Sequence, residues 1–170
     1  MLLLAFSLAH AGTDIATTKK FGIGAATGSA LINVTGKYYL GPKNGLAFFA
    51  GTSFTYHDLR ASYQGDFVHW GENWNWGQIG MYWHVDAQFS MYTVPSFPVY
   101  PSLGLGGGIG ADMDFQKIPL QIFTEFGLGI YPLHGYCADV AATEAAVTGV
   151  DVSGICWVGA FGAAGVRWYP

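Results

Sequence analysis

From Met81 to Met91 the chain reads MYWHVDAQFSM, and its character changes at every residue. Met81, Trp83, Val85, Ala87, Phe89 and Met91 are apolar, while Tyr82, His84, Asp86, Gln88 and Ser90 between them form hydrogen bonds. Successive side chains reach opposite faces in an extended strand, so this stretch predicts a strand with oil on one side and polar partners on the other. Composition narrows the choice of oil. The 170 residues are 51% hydrophobic and 11% charged, against roughly a quarter charged in an ordinary soluble domain. A soluble sandwich strand needs the same alternation but more charge outside. No apolar run approaches the ~18 to 20 residues of a membrane-spanning helix. The hydrophobicity is dispersed at period two.

The signature recurs. KFGIGAATG (20–28), ALINVTGKYYL (30–40) and GLAFFAGTSFTY (45–56) come first, with Gly41-Pro42-Lys43-Asn44 as the clearest hairpin turn. LRASYQGDFVHW (59–70) alternates more weakly, and the stretch around residues 78–92 follows it. VYPSLGLGGGIGADMD (99–114), LQIFTEFGLGIYPL (120–133) and ICWVGAFGAAGVRWY (155–169) complete the set. The expected fold is all-β: a closed, antiparallel, eight-stranded up-and-down transmembrane barrel. In lipid every backbone group must pair internally, and a sheet achieves this only by closing on itself. Eight strands near the ~9 to 11 residues needed to cross fit that solution. Were residues 59–76 an outer loop, the count would drop to seven and the alternating directions would fail. With both termini periplasmic, GPKN and FQKIP fall inside the cell envelope and the long segment 134–154 falls outside.

Alternation also assigns the interior. Val34, Gly36, Tyr38 and Leu40 share the outward face, opposite Asn33, Thr35 and Lys37. Lys37, His84, Asp86, Glu125 and Arg167 therefore form an expected interior charge network. Isolated charges there are costly, so Lys37 and Arg167 are expected to pair with Asp86 and Glu125 and with hydroxyls. Gly104, Gly106, Gly108 and Gly110 share the inward parity and make room for bulky neighbours across a narrow barrel.

The ends of the chain add a compartment. MLLLAFSLAHAG reads as the apolar core of a signal peptide with Ala9-His10-Ala11 before the cut and Gly12 first in the mature chain. Its basic n-region is missing, so the leader is read as truncated, the alternative being a buried N-terminal helix. The expected organisation is a truncated signal peptide at 1–11, an N-terminal segment at 12–19 and a barrel domain at 20–170. Cys137 and Cys156 suit an oxidising space and form a candidate disulfide. That bridge would constrain the unfolded chain by about 3 kcal/mol in the entropy description. No His lies at metal-ligand spacing from either cysteine. The net charge of −4 offers no basic surplus for phosphates, which argues against a nucleic-acid partner.

Three stretches invite chemistry. GLGGGIG (104–110) leads into a G-x-G-x-x-A pattern at Gly106, Gly108 and Ala111, but no helix follows to receive a phosphate. His84, Asp86 and Ser90 share a face, as a hydrolase would require. His84 and Ser90 are nevertheless about 20 Å apart by strand rise, so a nucleophile would have to come from a neighbouring strand. Asp112 and Asp114 are too few carboxylates to define a cation site. Trp70, Trp74 and Trp76 in HWGENWNWG suit an interfacial aromatic girdle, or alternatively stacking on the sugars of lipopolysaccharide or a surface glycan. The expectation is no catalytic residue, no cofactor and no metal.

FGIGAATG, TGKYYL and GPKNGLAF, then KIPLQIFTEFGLGIYP and GAFGAAGVRWYP, resemble the small eight-stranded outer-membrane barrels of Gram-negative bacteria, of the outer membrane protein A/X type. The resemblance spans about residues 20–57 and 99–169 and rests on hairpin phrasing, with no catalytic signature. It implies an outer-membrane location, lipid or lipopolysaccharide as surroundings, and insertion by the barrel-assembly machinery. Such barrels usually end in an aromatic residue, whereas this chain ends Trp168-Tyr169-Pro170. The expected function is a structural or adhesive, non-enzymatic, monomeric barrel without a large pore. The alternatives are a soluble lipocalin-like barrel binding a small apolar ligand, which needs an apolar lumen, and a lipid-modifying barrel enzyme.

Overall fold

A computed structural model describes residues 20–71, 74–93, 99–134 and 158–170. Eight strands follow one another: β1 (Phe21–Gly28), β2 (Ile32–Gly41), β3 (Asn44–Thr52), β4 (Tyr56–Trp70), β5 (Gly77–Tyr92), β6 (Tyr100–Phe115), β7 (Leu120–His134) and β8 (Val158–Trp168). Each is antiparallel to its neighbours in sequence, and β8 pairs with β1 from Ile23 opposite Trp168 to Gly28 opposite Ala163. The sheet is a closed barrel. Closure leaves no edge, so every strand has a hydrogen-bonded neighbour on both sides.

Alternating direction sorts the connections into two rims. The strand ends joined by the β2–β3, β4–β5 and β6–β7 turns lie at the terminal rim, with the start of β1 and the end of β8. The strand ends joined by the β1–β2, β3–β4, β5–β6 and β7–β8 connections lie at the opposite rim, here called the mouth. The strand read as weakest, residues 59–70, is part of β4, and it pairs with β5 along most of its length. Most boundaries shift by one to three residues, and the end of the third strand shifts by four. The third strand stops at Thr52 instead of residue 56, and Ser53 N–H donates to the Tyr56 carbonyl (2.6 Å) to turn the chain into β4. Ser and Thr serve turns and strands alike, so alternation through TSFTY does not mark the bend.

The wall has the polarity expected from the sequence, inside out relative to a soluble barrel. On β5, Trp83 is 40% and Val85 55% exposed, while Tyr82 is 0% and Asp86 2% exposed. On β2, Val34, Tyr38 and Leu40 face out, and Asn33, Thr35 and Lys37 are buried. Among the described residues, buried polar side chains outnumber buried apolar ones. The apolar minority is a small core of Ala47, Phe49, Phe123 and Ala163, with Phe49 edge-on to Phe123 at 6.0 Å. Inward glycines receive rings. A Cβ at Gly104 would meet Tyr131 at 2.3 Å, at Gly106 Phe161 at 2.6 Å, and at Gly110 Tyr82 at 2.3 Å.

Candidate functional site

Among the described residues the buried ionic groups are concentrated in the interior of the barrel. Lys37, His84, Asp86, Glu125 and Arg167 all lie inside. They do not pair as two bases with two acids from the same set. Lys37 Nζ on β2 faces Asp112 Oδ2 on β6 at 3.6 Å, with the Tyr39 ring 4.6 Å below the ammonium. Glu125 on β7 takes Arg60 of β4 as its ion-pair partner, straight across the lumen. Its other oxygen accepts from the Tyr82 hydroxyl (3.0 Å) and Gln64 Nε2 (3.3 Å). Asp86 Oδ2 bonds His84 Nδ1 at 2.6 Å within β5.

Among the described residues Arg167 has no carboxylate within ion-pair distance. Its guanidinium donates to Thr35 Oγ1 (3.1 and 3.2 Å) and to Gln121 Oε1 (3.1 Å), and it lies 3.7 Å from the centre of the Phe123 ring. Gln121 is a hub. Its Nε2 donates toward Tyr39 Oη (3.1 Å), Asp112 Oδ2 (3.0 Å) and Asp114 Oδ1 (2.9 Å), and its Oε1 also accepts from the Tyr169 hydroxyl (2.9 Å). Parity states which face a side chain takes, but partners across a lumen must also share a height. Height follows from the stagger of strands around the barrel, which alternation does not contain.

Arg60, Asp112, Asp114 and Gln121 were missed as members of this network. A signal for them exists in the chain. Asp58, Arg60, Ser62 and Gln64 share one parity, opposite Leu59, Ala61 and Tyr63, and all four are buried. Asp112 and Asp114 continue the inward parity of the glycine run, and they are consumed by Lys37 and Gln121. Among the described residues no group of three His, Cys, Asp or Glu side chains is arranged to hold a metal ion.

The hydrolase arrangement does not assemble. His84 Nε2, the nitrogen that would take a proton from a serine, has no hydrogen-bond partner. Its ring instead stands edge-on to Phe161 at 6.0 Å. Ser90 lines the mouth, three inward positions further along β5.

Trp70, Trp74 and Trp76 are exposed at the terminal rim. Trp74 stacks on Trp76 at 5.1 Å, and Trp76 reaches Phe115 at 6.5 Å. Gly71, at φ 91°, starts the turn, and a Cβ there would strike the Trp74 ring at 2.3 Å. That placement puts the aromatic cluster at the opposite end from the long β7–β8 connection. The candidate disulfide, Cys137 with Cys156, the leader at residues 1–11 and the N-terminal segment at 12–19 lie outside the described residues.

No family model matches the chain, and no curated protein matches it. Among solved structures it is similar to the crystal structure of Neisserial surface protein A, NspA, at 12% sequence identity and a TM-score of 0.48. The alignment covers 88% of this chain and 94% of that one. The barrel itself rests on this chain's own strand pairing.

Proposed function

We propose that this chain is an outer-membrane β-barrel of a Gram-negative bacterium, non-enzymatic, with a structural or adhesive role carried by the connections at its mouth. The observation that carries the reading is the belt of Ile23, Val34, Leu59, Val85, Ile109 and Leu128, all exposed around the wall, against a charged lumen. Each such side chain left in water forgoes roughly 1.5–3 kcal/mol that burial would return. Acyl chains remove that penalty from the whole belt at once. The mouth then faces the exterior and the terminal rim the periplasm, which sets the tryptophan cluster at the inner interface, as a girdle, away from lipopolysaccharide.

The lumen supports the absence of a large pore. Arg60, Glu125, Tyr82 and Gln64 bridge it midway, and Gln121 joins four strands below. A lipocalin-like role is disfavoured by the same groups, because an apolar ligand would have to displace ion pairs. The decisive experiment is partition. Residues 12–170 should refold only with detergent or lipid and show heat-modifiable mobility on a gel. A chain that is folded and soluble in plain buffer overturns the reading. Planar-bilayer recording should show no conductance step of porin size.

A further inference from the structure

We propose that the mouth of the barrel is a binding cup for a neutral, hydroxyl-rich ligand of one or two sugar units. A cavity of about 410 Å³ opens there, lined by Tyr56, Gln88, Ser90, Tyr92, Ser102 and Tyr131, with Phe161 among its deeper walls. Small-molecule sites commonly occupy about 300–1,000 Å³. The cavity lies where the inward positions Ser90 and Ser102 carry short side chains, while the Tyr131 ring covers Gly104 and Gly159 and forms part of the wall. Phe161 and the Arg60 guanidinium, 5.2 Å from its ring, lie deeper and close the way down. The shape is a blind cup, suited to holding a ligand and not to passing one.

Its chemistry selects the ligand class. Among the described residues none of the lining side chains is charged, so an ion entering would leave water without a counter-charge from them. The nearest ionic group beneath, Asp58, is already engaged by Gln88 and repels anions. Ser102 lines the cavity at 2% exposure, and its buried Oγ has no hydrogen-bond partner among the described residues. A buried hydroxyl without a partner is costly, and rotation about the serine's single side-chain torsion would turn it toward a ligand hydroxyl. Gln88 is held ready: its Oε1 accepts from the Tyr131 hydroxyl (2.7 Å), and its Nε2 donates to Asp58 Oδ1 (2.8 Å) and Tyr56 Oη (3.2 Å). Little ordering remains to be done when a ligand arrives. Tyr56 and Tyr92, with ring centres 4.9 Å apart, add two amphipathic rings able to accept C–H surface.

The test uses residues 12–170 folded in detergent, and does not depend on which side of a membrane the mouth faces. Saturation-transfer NMR is recorded with glucose and maltose as free sugars, with a dephosphorylated lipopolysaccharide core oligosaccharide as a glycan terminus, and with inorganic phosphate. Saturable binding by the free sugars points to a soluble ligand, and binding by the oligosaccharide alone to a surface glycan; either supports the cup. Ser102→Leu, which fills the cavity, should weaken binding at least about tenfold, with heat-modifiable mobility unchanged. Should Ser102→Leu fail to fold, Tyr92→Ala at the rim decides, with a similar loss expected. No saturable signal from any neutral probe, undiminished binding by the folded variant, or preference for phosphate overturns the proposal.

Discussion

Toward the terminal rim one amide, Gln121, ties together Tyr39, Asp112, Asp114, Arg167 and Tyr169, whereas at the mouth another, Gln88, joins Tyr56, Asp58 and Tyr131 beneath open space. Both hubs stand on the same wall of eight strands, so backbone diameter does not distinguish them. Side-chain volume does. The lower level points Lys37, Arg167, Tyr169 and Tyr82 inward, all almost completely buried, and the upper level sets the short Ser90 and Ser102 among tyrosines that stand around the cavity. An eight-stranded barrel is just wide enough to be filled. Whether it is filled at a given height is a matter of which residues occupy two or three inward positions there.

The contrast can be broken at its strongest point first. Glu125→Ala leaves Arg60 buried without its counter-charge, and should cost about 3–5 kcal/mol in urea unfolding from lipid vesicles followed by tryptophan fluorescence. The double variant Arg60→Met with Glu125→Leu should recover most of that loss, because two apolar groups need no compensation. A cost for Glu125→Ala below about 1 kcal/mol would mean that the crossbar is already solvated.

Next comes the wall that both levels share. Val85→Arg or Leu128→Arg, each on the outward face, should cost about 2–4 kcal/mol in lipid if it lies at mid-depth. The same changes would be nearly neutral on a face in water, so a neutral result removes the membrane. Gln121→Leu strips partners from Asp114, Arg167 and Tyr169 together, for an expected loss of about 1–3 kcal/mol by the same unfolding assay. Ser90→Ala at the mouth should change stability by no more than about 0.5 kcal/mol. Comparable losses for Gln121→Leu and Ser90→Ala would erase the difference between the two levels.

Much of the fold could be read before any coordinates. Trp83 and Val85 out with His84 and Asp86 in, eight strands, and a tight turn at Pro42–Lys43 all follow from alternation and turn chemistry. The turn at residues 53–55 was not legible, since TSFTY satisfies strand and turn equally. The interior was legible as a list and illegible as a set of pairs. Lys37 and Arg167 lie buried in the lumen, and Asp112, Thr35 and Gln121 are what they meet. Arg60 went unseen because its strand was judged by overall alternation and not by the single polar parity of Asp58, Arg60, Ser62 and Gln64.

Side is a local property: the pleat sends each residue in or out according to its neighbours in the chain, and the amino-acid sequence alone determined it. Height is a non-local one, fixed when β8 closes on β1 and the stagger accumulated over eight strands is locked. Only that closure decided that Arg60 faces Glu125 across the lumen, that Trp74 and Trp76 gather at the terminal rim, and that Ser102 lines the same cavity as Tyr131.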